Sequence, residues 1–160
     1  NNVSGCDINE NHIEFCKDLN SNIQFDVADA ELLPYDDNSF DVLINIESSH
    51  CYGDIRKFFK EVDRVLINGG KFVWVDFFDI ESNEFENKLE HINLKLQSID
   101  DITNNTKDAS VEILEMLSKE NQSELGVSHS KLQYQAAIDG FDDGEYKYMR
   151  VVMEKNNAKV

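Results

Sequence analysis

The chain has 160 residues, 41% of them hydrophobic, which suits one globular domain with a single core and argues against a disordered or membrane-spanning chain. Its formal net charge of -17 argues against nucleic acid and anionic membrane surfaces as partners, since such binding depends on Lys and Arg displacing counterions. Cys6, Cys16 and Cys51 form no Cys-x-x-Cys or Cys/His ligand spacing, so no metal site is expected, and reduced thiols in a cytoplasmic protein are the simplest reading.

In chain order, Asn2 to Asp7 predicts a short strand closing on an acid, and a helix follows from Asn9 or Glu10 to Leu19 with Ile13, Phe15, Cys16 and Leu19 as its apolar stripe. Ile23 to Val27 alternates like a strand. Asp29 to Ser39 is a loop holding the sole proline, Pro34. Phe40 to Ile46 is a continuous apolar run, the pattern of a parallel strand covered on both faces. Asp54 to Leu66 is the clearest helix, with Ile55, Phe58, Phe59, Val62, Val65 and Leu66 on one side and Asn68-Gly69-Gly70 ending it. Lys71 to Phe78 predicts the next buried strand. Beyond it, Glu81 to Leu96 is helical in spacing, Leu96 to Ile102 suits a strand, Thr103 to Asn121 reads as loop and then helix, and Tyr146 to Lys155 is a last strand. The order predicts a single α/β domain with a mostly parallel sheet. The polar stretch 103–143 is either a lid or an ordinary packing insertion.

Three patterns fall in register. Gly5-Cys6-Asp7 ends the first strand; Asp29-Ala30-Glu31-Leu32-Leu33-Pro34-Tyr35 precedes Asn38-Ser39-Phe40-Asp41; and Glu61 to Gly70 (EVDRVLINGG) leads into a strand reaching Asp76. Together they resemble the class I S-adenosylmethionine-dependent methyltransferases of the type 11 kind. The likeness is firm from Val3 to Phe78 and looser beyond. Leu43 to Tyr52 and Asp101-Ile102-Thr103 are most similar to the phthiotriolone dimycocerosate methyltransferase group, and Asn68 departs from the usual proline before the glycines.

The resemblance implies a Rossmann-like sheet with helices on both faces and methyl transfer from S-adenosylmethionine to a small lipid- or polyketide-like acceptor, at oxygen. It implies Asp7 on the ribose hydroxyls, Ile8 against the adenine, Asp29 and Ala30 on the adenine amino group, and Asn45 and Ile46 beside the sulfonium. Glu47 and Tyr52 would line the acceptor pocket. His50, just past a strand end, is the best candidate base, since an unperturbed histidine titrates near neutrality, with Asp76 to orient it or to hold the substrate. Each has a plainer alternative: a turn acid at Asp7 or Asp29, a core isoleucine at Ile8, a solvated acid at Glu47, a packing histidine at His50.

No Gly-x-Gly-x-Gly occurs in the sequence. In this family the first strand runs into such a loop, so the chain is expected to start at the second strand, to lack the first strand and glycine loop, and to have little activity alone. Two rival functions stand beside this one. A nicotinamide-dependent oxidoreductase would use Asp7 equally well, although no Tyr-x-x-x-Lys dyad follows the later strands; the other is a non-catalytic interaction module.

Overall fold

The computed structural model describes residues 2–79, 92–119 and 125–156. They form β1 (Ser4–Asp7), α1 (Glu10–Leu19), β2 (Gln24–Val27), β3 (Phe40–Ile46), a 3-10 turn (Ser49–Cys51), α2 (Ile55–Val65), β4 (Leu66–Asp79), β5 (Leu94–Asp101), α3 (Thr103–Lys119), α4 (Leu125–Asp143) and β6 (Tyr146–Lys155). β1 and β2 pair in parallel as one two-stranded sheet. The second sheet has the order β3-β4-β6-β5, with β3 and β4 parallel and β6 antiparallel to both of its neighbours. The reversal follows from the turn after α4. Gly144, at φ 71°, brings the chain back at the carboxyl end of β4, so Tyr146 starts β6 opposite Asp79 and β6 must run the other way.

α2 shows why its sequence folds as it does. The Asp54 side chain caps the first turn by accepting from the Arg56 and Lys57 amides. Phe58, Phe59, Val62 and Val65 then fall on one stripe and are buried. With Phe72 and Trp74 of β4 and Val151 and Met153 of β6, Phe58, Phe59 and Val62 form the main core. Alternation along β4 sends Val75 to the opposite face, where it meets Tyr148 and Phe141, with Phe77, Ala137 and Tyr146 packed around them. Helices thus cover both faces of the sheet, making the α/β, Rossmann-like arrangement.

Several boundaries differ from the sequence reading. β4 begins at Leu66, directly after α2, and absorbs the glycine pair. Gly69 takes φ 78°, and a Cβ on Gly70 would stand 2.9 Å from the Ile67 carbonyl oxygen, so the glycines serve a kinked strand entry. The helix expected over Glu81 to Leu96 lies mostly outside the described residues, but Leu94 to Leu96 belong to β5. α3 starts at Thr103 without a preceding loop, because the Asp101 carboxylate accepts from the Thr103 amide at 3.1 Å. The Thr103 hydroxyl and Lys147 hold that carboxyl at about 2. Among the described residues β3 is covered on one side only: Leu43 packs on the core, while Val42, Ile44 and Ile46 are 51%, 62% and 60% exposed. The helical cluster on that face rests on β4 and β6 and includes no β3 residue.

Candidate active site

Asp76, at the carboxyl end of β4, is 1% exposed and receives four donors. Its Oδ1 is 2.7 Å from His50 Nδ1 and accepts from the Phe77 amide at 2.9 Å; its Oδ2 accepts the His50 amide at 3.2 Å and the Ser49 hydroxyl. The Trp74 indole N–H donates to Ser49 Oγ at 2.8 Å, fixing the serine from behind. A buried carboxylate keeps the proton of His50 on Nδ1, so Nε2 carries the lone pair. The His50 side chain is 43% exposed, and its ring meets the Phe77 edge at 5.8 Å. The pairing of His50 with Asp76 read from the sequence is therefore present.

On β3, Asn45 Nδ2 donates to Ser48 Oγ at 2.9 Å and to Tyr52 Oη at 2.7 Å, and the two hydroxyls lie 3.0 Å apart. Burial pushes the Tyr52 phenol up, against the hydrogen bonds from Ser48 and Asn45. Glu47, the next residue after β3, has φ 52°, a strained value for a side chain of this size. Two bonds over-determine it: its amide donates to the Val75 carbonyl at 2.8 Å, and its carboxylate accepts the Tyr148 hydroxyl at 2.9 Å. Burial and the Glu47 carboxylate hold the Tyr148 phenol well above the ordinary tyrosine range. Tyr148 itself is tied to the start of α3, its amide donating to Thr103 Oγ1 at 2.9 Å. Sequence reasoning missed Tyr148; its only trace is the alternation of Tyr146 and Tyr148 in the last strand.

The residues read as cofactor ligands sit on local turns. Asp7 Oδ1 accepts the Asn9 amide at 2.7 Å while Oδ2 lies 3.4 Å from His12 Nδ1, and Asp29 Oδ1 accepts the Glu31 amide at 2.9 Å. Each carboxylate thus accepts an amide of its own turn through one oxygen. Ile8 is 73% exposed and so is no core isoleucine, whereas Ala30 packs against the main core. Loop 28–37 is pinned to α2: the Glu61 carboxylate accepts the Leu33 amide, and Arg64 bonds the Leu33 and Tyr35 carbonyls.

Residues 1–74 match the family described as "Methyltransferase domain". The phthiotriol/phenolphthiotriol dimycocerosates methyltransferase of Mycobacterium tuberculosis is 47% identical over 75 residues, which are 46% of this chain and 28% of that protein. The fatty-acid O-methyltransferase of Mycolicibacterium smegmatis is 40% identical over 75 residues, 46% of this chain and 27% of that one. The chain thus matches little more than a quarter of the length of these curated relatives. Geranyl diphosphate C-methyltransferase from Streptomyces coelicolor superposes with a TM-score of 0.73 at 18% identity, over 96% of this chain and 64% of that one. A Haemonchus contortus N-methyltransferase does so with a TM-score of 0.81 at 16% identity, over 97% and 44%. These two likenesses establish the fold. The match to the methyltransferase domain family covers residues 1–74, a little under half of the chain.

Proposed function

We propose that the protein transfers a methyl group from S-adenosylmethionine to the oxygen of a small lipid- or polyketide-like acceptor. The observation that carries this reading is the His50–Asp76 pair, a half-exposed imidazole oriented by a buried carboxylate at a strand end. Two further residues fit the methyl donor: Ile8 offers an exposed apolar surface for a base, and Asn45 Oδ1 is a buried acceptor with no partner. When bound, S-adenosylmethionine supplies an electrophilic methyl carbon on a cationic sulfur.

The protein's own residues then do three things. Asp7, Ile8, Asp29, Ala30, Asn45 and Ile46 hold the donor, and Glu47 and Tyr52 place the acceptor; alignment alone can supply up to about 7–11 kcal/mol. His50 Nε2 takes the proton of the attacking hydroxyl, and the imidazolium that forms is stabilised by Asp76. α3 and α4 form the lid that excludes water: the Phe141 ring of α4 stacks on Phe77 at 6.0 Å, and Phe77 in turn touches His50.

Calorimetric titration of the natural full-length polypeptide containing residues 1–160 tests the reading. S-adenosylhomocysteine is expected to bind and NADH not to bind; the reverse result would replace methyl transfer with nicotinamide chemistry. Asp7→Ala is expected to weaken S-adenosylhomocysteine binding about tenfold or more, the worth of one or two charge-assisted hydrogen bonds. An unchanged dissociation constant would remove Asp7 from the site.

A further inference from the structure

Asn45 poses a hydrogen-bonding problem that the protein alone does not solve. The residue is 8% exposed, and its Oδ1 has no hydrogen-bond partner. Both amide hydrogens go to the hydroxyls of Ser48 and Tyr52. Those hydroxyls also face each other, so one donates to the other and one hydroxyl proton is left over. Flipping the amide does not remove the problem: Oδ1 would then accept both hydroxyls, and Nδ2 would be the orphan. Either way a buried polar atom goes unpaired, at a cost comparable to a lost hydrogen bond. An apolar residue of similar size would avoid that cost and pack as well against the core beside Leu43.

We propose that Asn45 Oδ1 is a binding group reserved for a ligand N–H, and that the Tyr52 hydroxyl is the cover that shifts to admit it. The inference rests on the methyl-donor reading and specifies which part of that ligand Asn45 meets. A cationic nitrogen fits best. It offers only donors, matching an orphan acceptor, and it would enter a strand end that carries the Glu47 and Asp76 carboxylates. Asn45 pairs with Trp74 in the β3–β4 register, two residues before the Asp76 that holds His50, so the three-residue ring stands at the same end of the sheet as the candidate base. The ammonium of the methyl donor's amino-acid end has this chemistry, and 5′-methylthioadenosine is the same nucleoside thioether without it.

The test uses Asn45→Leu in the natural full-length polypeptide, with Asn45→Val as the smaller alternative should the first pack badly. Two readouts are taken, thermal unfolding without ligand and calorimetric binding of S-adenosylhomocysteine and 5′-methylthioadenosine. The expected result is a melting temperature equal to or above wild type, since the orphan atom is gone. S-adenosylhomocysteine binding should fall by about tenfold or more, while 5′-methylthioadenosine binding stays within about twofold. A melting temperature several degrees lower in both variants would mean that Asn45 is structural and would overturn the proposal. Equal losses for the two ligands, or no loss for either, would overturn it as well. If wild type binds neither compound, the methyl-donor reading itself fails, a result separate from a wild type that binds while its variants do not discriminate.

Discussion

His50→Ala and Asp76→Asn are each expected to slow methyl transfer by about 10²–10⁴-fold, the range that a positioned general base contributes. The two substitutions act differently. Alanine removes the proton acceptor outright. Asparagine keeps the shape, but it can present an N–H to His50 and so favour the tautomer with its lone pair on Nδ1, facing away from the acceptor. Affinity for S-adenosylhomocysteine is expected to change little in His50→Ala, because the imidazole acts on the acceptor. Single-turnover rates with radiolabelled methyl donor, measured beside calorimetric affinities, separate the two effects. Equal losses in rate and cofactor affinity would show that the pair supports the pocket and does not move a proton. Asp76→Asn should also lose stability, since the carboxylate accepts from Ser49, Phe77 and the His50 amide as well as the ring. Its unfolding curve is therefore needed before its rate is interpreted.

The parts of the fold that local periodicity controls were readable. Phe40 to Ile46 is β3 to the residue, and the i, i+4, i+7 stripe of α2 predicted its buried face. The His50–Asp76 pairing was also anticipated, because His50 follows the end of β3 and Asp76 lies toward the end of β4, and a parallel β-α-β unit brings these ends side by side. What failed depends on tertiary partners. The helix of α3 was expected but not its start, which is fixed by Asp101, a residue that Lys147 of β6 helps to hold. The apolar run of β3 suggested cover on both faces, but periodicity cannot say whether a second layer is present. Tyr148 meets Glu47 across 101 residues of sequence, and no local pattern encodes that contact. The strained φ of Glu47 is likewise invisible in a Glu-Ser-Ser stretch.

Arg64→Ala is expected to cost about 3 kcal/mol and to lower the melting temperature by about 6–12 °C, because it leaves a largely buried carboxylate with only the Leu33 amide as donor and removes the donor to two carbonyls. The guanidinium bonds Glu61 twice, at 2.8 and 2.7 Å, reaches the Tyr35 and Leu33 carbonyls at 2.6 and 3.0 Å, and meets Asp37 at 2.9 Å. The Glu61 side chain is only 13% exposed. Arg64→Lys should recover little, since an ammonium cannot match the forked geometry. The Arg64 guanidinium, opposed by some burial, holds the Glu61 carboxyl below its ordinary 4.5. A depressed folded value means that the stabilisation is fully present above about pH 4.5 and is lost as the pH falls through the folded value. Wild type should therefore lose stability on acidification more steeply than Arg64→Ala, and the two unfolding curves should converge at low pH. A constant gap across that range would mean that the loop is held by packing and that the ion pair contributes nothing to it. Because the same loop carries Asp29 and Ala30, a loosened loop should also weaken S-adenosylhomocysteine binding, linking the stability of α2 to the donor site.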